Sequence, residues 1–201
     1  MEKENKKINL LEAEEIYHLL IKNSNFNEDN NFNNDMIPKK IILAQVGEDN
    51  RSFILTKRQY NALIKTMLYF KEDYFYIYLS EWYKKNEFIL SEKDSLTLIN
   101  INDSYKNYES LEIIFENVIY SSQKNWAIIL TMDNYGVLAA TEEFMNEYKK
   151  NYPEWKNDIE QFKDYFDSPE FNLDAVEKTF NYVTENEEGL TVEDRSLPWK
   201  K

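Results

Sequence analysis

The sequence predicts an α+β protein: a mainly antiparallel sheet of hairpins, with helices packed on one side and a helical C-terminal region. Three observations lead there. Short apolar runs come in pairs joined by polar turns, as antiparallel hairpins require. Helical periods fall between the pairs without the regular strand–helix alternation of a parallel sheet. From Thr141 onward the apolar patterns repeat at helical spacing. With 201 residues, 42% of them hydrophobic and 15% aromatic, the chain is long and apolar enough to bury a core.

Residues 9–22 read as a helix. Asn9 and Glu12 have capping-box spacing, and Leu10, Ala13, Ile16, Tyr17, Leu19 and Leu20 supply an apolar face. Seven Asn within residues 23–34 mark a polar loop that Pro38 closes. Residues 40–46 and 52–55 read as a hairpin around Gly47-Glu-Asp-Asn50. Thr56 and Gln59 then cap a helix with Tyr60, Leu63, Ile64 and Met67 on one side. Residues 73–80 alternate Phe75, Ile77 and Leu79 with Tyr74, Tyr76 and Tyr78, the pattern of a strand with two differently sized faces. The tyrosine face, with Trp82 and Tyr83 behind it, is core if the sheet is covered on both sides and a protein-contact surface if one side is open.

A second hairpin is expected from residues 87–90 and 96–101 around Ser91-Glu-Lys-Asp94. Residues 110–121 read as a helix, with Leu111, Ile114, Phe115 and Val118 at helical spacing and Ser110 as cap. A third hairpin joins residues 125–132 to 137–140 through Asp133-Asn-Tyr-Gly136, with Gly136 in the left-handed position that closes the turn. Thr141 caps the next helix. Its first turn holds Glu142 and Glu143 and its last Lys149 and Lys150, matching the macrodipole, and Pro153 stops it. Trp155, Ile159, Phe162 and Phe166 form the apolar stripe of a second helix, and Asn172 caps a third that carries Leu173, Val176, Phe180 and Val183. Residues 1–184 thus make a single α+β domain, of which 141–184 is a helical, acidic subregion. Residues 185–201 read as an acidic, flexible tail.

Charge is unevenly placed. The net charge is −13; residues 142–195 hold sixteen acids against six bases, a balance of −10, while residues 1–141 hold −5. Such a surface disfavours direct contact with nucleic acid or anionic membrane and favours a basic protein partner. No apolar run reaches the ~20 residues of a membrane span, and the charged start lacks a signal-peptide core, so the protein is expected to be cytoplasmic.

The inventory for catalysis is thin. Without Cys there are no disulfides, thiolate metal sites or thiol nucleophiles. Gly47, Gly136 and Gly189 are too scattered for a phosphate-cradling loop. His18, the one histidine, sits on a helix away from any serine in an elbow context. No catalytic residue, cofactor or metal ligand is therefore expected. Paired carboxylates remain the one enzymatic route. Glu14-Glu15, Glu142-Glu143, Glu187-Glu188 and Glu193-Asp194 splay about 100° apart if helical, so a Mg²⁺-dependent site would need acids converging from separate elements.

The helix after Pro153 carries the sharpest candidate. One residue behind its apolar stripe run Glu154, Asp158, Gln161 and Tyr165, with Asp164 outermost and Lys156 and Lys163 on the opposite flank. These five residues are the expected partner-binding set, an acidic edge with one aromatic, and Glu154, Asp158, Asp164 and Tyr165 are expected to be substantially exposed.

Trp126-Ala-Ile-Ile-Leu130, Asp133-Asn-Tyr-Gly136-Val-Leu and Glu142-Glu-Phe144 together resemble a pattern of bacterial polymorphic-toxin immunity proteins: a Trp-led strand, an acidic Gly-containing hairpin and a helix with an early Phe. The resemblance covers residues 125–144. It implies a cytoplasmic inhibitor that binds and blocks a toxin domain, and it carries over no catalytic residue. With the acidity, it gives the expected function: a non-enzymatic inhibitor that occludes a basic toxin such as a nuclease. The alternatives are a phage or mobile-element inhibitor of a nucleic-acid-binding defence enzyme, and a Mg²⁺-dependent carboxylate enzyme.

Overall fold

One six-stranded antiparallel sheet organises the chain. The computed structural model describes residues 9–22, 31–45, 53–79, 96–111, 113, 116–168, 171, 173–185, 187 and 189–200. The strands are β1 (Lys39–Ala44), β2 (Tyr74–Leu79), β3 (Leu96–Asn100), β4 (Asn117–Ser121), β5 (Trp126–Leu130) and β6 (Tyr135–Ala140). Their order across the sheet is β1-β6-β5-β4-β2-β3. The helices are α1 (Leu10–Leu20), α2 (Lys57–Tyr69), α3 (Tyr105–Glu109), α4 (Glu142–Asn151), α5 (Trp155–Phe166) and α6 (Leu173–Thr184), with a final 3₁₀ turn at Pro198–Lys200. The α+β class holds.

Caps fix several helix starts as the residue pattern suggested. The Asn9 side chain accepts from the Glu12 N–H. Thr56 and Gln59 form a complete reciprocal capping box on α2. Thr141 accepts from Phe144 at the start of α4. The β5–β6 hairpin also forms as expected, but its left-handed residue is Asn134, at φ 57, and not Gly136. Gly136 lies inside β6, where an added Cβ would stand 2.5 Å from Leu130 Cδ2 and 2.7 Å from the Ile129 carbonyl oxygen. It is there because the neighbouring strand leaves no room for a side chain.

Helices cover both faces of the sheet, a fuller arrangement than a one-sided layer. Partner registers put Phe75, Ile119, Ile128 and Leu138 on one face and Tyr76, Tyr120, Ala127 and Ala139 on the other. Trp126, on the first face, stacks with Phe144 of α4 at 5.7 Å between ring centroids, and Phe144 stacks in turn with Phe70 at the end of α2. On the second face, α1 lies over the tyrosines: Tyr17 meets Tyr78 and Tyr120, and the Tyr120 hydroxyl donates to the Ala13 carbonyl. Tyr76 and Tyr78 are thus core, Tyr74 is half-buried, and the tyrosine face is closed. Trp126, Ile128, Leu130 and Phe162 are all buried, as expected.

Two expected elements differ. Residues 110–121 were expected to be helical; instead α3 ends at Glu109, and Asn117–Ser121 is the strand between β2 and β5. Every residue of β4 is buried, so the strand carries no polar alternation to mark it, and its apolar spacing imitates a helix. The expected strand at 52–55 is, over its described residues 53–55, a turn and bend. There the Leu55 N–H donates to the Tyr108 hydroxyl at 2.9 Å and its carbonyl accepts from Tyr105 at 3.2 Å, so tyrosines of α3 take the bonds a partner strand would have made. The hairpin strand at 87–90, its turn at 91–94, the turn at 47–50 and the Asn172 cap lie outside the described residues.

In the C-terminal segment Glu187 and Leu197 are buried, at 3% and 6% exposure, while Thr191, Val192, Glu193, Arg195 and Ser196 are exposed.

Candidate interaction surface

Helix α5 stands beside β1, the strand at one end of the sheet, and its setting follows from the residues it buries. Ile159, Phe162 and Phe166 turn inward; Phe162 and Phe166 meet Tyr135 of β6 edge-on, and Phe162 stacks with Phe180 of α6. Contacts on several sides bury a wider arc than a one-sided stripe would.

That wider arc decides the fate of the acidic edge. Glu154, Gln161 and Asp164 are exposed, but Tyr165, expected to be exposed as well, is half-buried because its ring packs on neighbouring phenylalanines. The Tyr165 hydroxyl accepts from Asn134 Nδ2 at 2.9 Å, and its ring packs on Phe166 and Phe171. Asp158, expected to be exposed, is buried at 3%. Its Oδ1 accepts from the Tyr152 hydroxyl at 2.9 Å and its Oδ2 from Gln59 Nε2 at 3.0 Å. Burial pushes its carboxyl up to about 7, against donors that favour the charged form. Asp158 therefore belongs to the junction of α2, α5 and β1 and is removed from the candidate surface.

Glu160 and Asp167 are exposed carboxylates that the apolar-stripe reasoning passed over. Glu160 accepts from Lys163 Nζ at 2.9 Å and lies one turn before Asp164, a spacing readable from sequence once the exposed arc is known. The outer surface of α5 thus presents Glu154, Glu160, Gln161 and Asp164 on a helix whose inner side is locked by aromatic packing. Such a surface supplies directed negative charge without proton-transfer or nucleophilic groups.

The other candidates are less organised. His18 is exposed, 4.0 Å from Glu14 within α1, on a shallow groove that also includes Leu11, Glu15 and Leu19. Glu142 and Glu143 are both exposed at the start of α4, and Glu193 and Asp194 lie in a surface turn. Among the described residues, no group of three or more His, Cys, Asp or Glu side chains is placed to hold a metal ion. Among the same residues, no helix is long and apolar enough to cross a membrane.

A second buried carboxylate, Glu72, lies in the connection between α2 and β2. Glu72 Oε2 accepts from the Trp126 indole N–H at 2.9 Å, and Oε1 accepts from the Ser121 hydroxyl at 2.7 Å, the Ser122 hydroxyl at 3.2 Å and the Gln123 N–H at 3.3 Å. Burial raises its pKa. These donors tie the end of α2 to the β4–β5 turn, and Glu72 itself is fully buried, as a structural tie requires.

No protein-family model, curated protein or solved structure matches this chain.

Proposed function

We propose that this chain is a non-enzymatic inhibitor, an immunity protein that acts in the cytoplasm by occluding the basic cleft of a toxin such as a nuclease. The observation that carries the reading is the outer surface of α5, where Glu154, Glu160 and Asp164 stand exposed on a helix anchored to the sheet edge. Carboxylates held in place in this way offer a basic cleft the charges it would otherwise take from nucleic-acid phosphates. The pre-set helix limits the entropy lost on docking. Gln161 and the edge of Tyr165 add neutral contacts beside the charges. The surplus of acids over residues 142–195 works in the same direction by speeding encounter.

The test is capture from the native host with the full chain, identification of the captured protein, and an assay of its activity with and without the chain. The reading expects a basic enzyme that loses activity on binding. Capture should fail with the Glu154→Lys/Asp164→Lys variant while the fold remains intact. A partner that is acidic, or that the double variant binds equally well, would overturn it.

A further inference from the structure

The described part of the C-terminal segment lies along a flank of α4 and α5 beside the acidic edge, and it meets three lysines there. Lys149 forms an ion pair with the buried Glu187. Lys156 donates to the Gly189 carbonyl at 2.5 Å and stands 3.5 Å from Asp194. Lys163 donates to the Glu193 carbonyl at 3.2 Å. The Trp155 ring lies beneath the first two ammonium groups, 4.4 Å from Lys149 and 5.7 Å from Lys156.

The spacing matches on the two sides. Lys149 and Lys156 are seven residues apart, and so are their partners Glu187 and Asp194. Gly189, at φ 89, lets the segment bend, and Arg195 folds it back by donating to the Glu187 carbonyl at 2.8 Å. Thr191 donates its backbone N–H to Asp194, which holds that carboxyl below its ordinary range. The middle of the segment is fastened by these polar contacts and not by apolar burial, since Val192 is 89% exposed. Leu190, half-buried, and Leu197, buried, flank it.

Lys149 and Lys163 keep only 17% and 6% of their side chains in contact with water, so each needs an anion or carbonyl in place. What the groove reads is spaced carboxylates and backbone carbonyls, features that any acidic extended peptide can offer. We propose that Lys149, Lys156, Lys163 and Trp155 form a docking groove for an acidic peptide segment, which the chain's own Glu187 and residues 189–197 occupy as an intramolecular competitor. The groove touches the acidic edge at one point, where Lys163 also donates to Glu160 at 2.9 Å; the polar and ring contacts of Lys149, Lys156 and Trp155 in this groove involve neither Glu154 nor Asp164, so the inference does not rest on the inhibitor reading. A tethered competitor acts at high effective concentration, so a peptide in trans binds the intact chain weakly and binds tightly once the tethered segment is loosened.

The experiment titrates a dye-labelled synthetic peptide with the sequence of residues 185–201 into the full-length chain and follows anisotropy, with amide hydrogen exchange over 189–197 reporting the tethered segment. In the Glu187→Gln/Asp194→Asn variant those amides should exchange faster and the peptide should bind at least tenfold more tightly than to the unaltered chain. Adding Lys156→Glu to that variant should abolish the gain. Asp194→Asn alone, a surface change, repeats the test if the double variant does not fold. Faster exchange with no gain in peptide binding, or unaltered exchange, would overturn the proposal. So would a gain that survives Lys156→Glu.

Discussion

Gln59 donates its side-chain amide to Asp158 at 3.0 Å, joining α2 to α5 across 99 residues of sequence. The same amide donates to the Ala44 carbonyl at 2.8 Å, and the Ala44 backbone N–H bonds to Asp158. Two side chains thus occupy the outward N–H and C=O of the last residue of β1, as a neighbouring strand would, and help to close that edge against pairing with another chain. Gln59 Oε1 meanwhile accepts from Thr56 and from Gln45, so the cap of α2 and the edge of the sheet share one side chain.

This junction makes stability depend on pH. The Asp158 carboxyl titrates near 7 in the folded chain and near 3.8 as an ordinary aspartate. Between those values the folded state holds a proton that the unfolded state has lost. The stabilisation is therefore complete below about 4, falls as pH rises, and is lost once pH passes about 7. Burial of Glu72 raises its pKa and acts in the same direction. The melting temperature should be higher at pH 5.5 than at pH 8, and Asp158→Asn should reduce that difference. Thermal melts of both proteins across this range check it, and an equal pH slope in the variant would count against the assignment.

The Glu72–Trp126 bond should be costly to break. Trp126→Phe removes the indole N–H, leaves Glu72 Oε2 without that donor and opens space beside Phe75 and Phe144. The lost partner and the cavity together should cost about 2–4 kcal/mol. The denaturant midpoint should fall with its slope unchanged, whereas Ser122→Ala, which removes a 3.2 Å bond to the same carboxylate and a 2.8 Å bond to the Tyr74 carbonyl at a half-buried site, should cost about 1–2 kcal/mol.

How much of this was legible follows from the setting of each residue. The capping residues Asn9, Thr56, Gln59 and Thr141 were readable because a cap is a local bond over three residues. Trp126, Ile128 and Leu130 were readable as core because the hairpin that holds them is local as well. β4 was not, because a strand buried on both faces loses the alternation that marks a strand. Asp158 was misplaced for a related reason. Helical periodicity assigns a polar residue to water, yet α5 packs against α2, α6 and β1 together, and only the distant Gln59 and Tyr152 reveal that an acid can be accommodated there. Glu154 and Asp164 were legible because helical spacing alone turns them away from the apolar stripe, and both are exposed.

Gly136 and Asn134 should respond in opposite ways to substitution. At Gly136 a methyl group would meet the Ile129 carbonyl oxygen, a backbone atom that cannot rotate away, so Gly136→Ala should cost about 2–3 kcal/mol. At Asn134 the left-handed backbone suits glycine better than any other residue, so Asn134→Gly should stay within about 0.5 kcal/mol despite losing the bond to Tyr165. Equilibrium unfolding of the two variants separates a close-approach glycine from a turn residue.

Asp158 and Asp164 lie on one helix and should separate folding from association. Asp158→Lys would bury an ammonium beside the Gln59 amide, the Tyr152 hydroxyl and the Ala44 N–H, which all lose the carboxylate they donate to, and should cost about 3–5 kcal/mol. Asp164→Lys changes an exposed side chain and should leave stability within about 0.5 kcal/mol. The second variant is therefore the clean probe of charge steering. Against the basic partner of the inhibitor reading, Asp164→Lys together with Glu154→Lys should slow association several-fold at low salt. The difference should shrink as the Debye length falls from about 30 Å at 0.01 M to about 8 Å at 0.15 M. Dissociation should change less, because exposed charges act mainly on encounter. An association rate that is unchanged at low salt, in a variant that melts like the parent, would place the docking face away from α5.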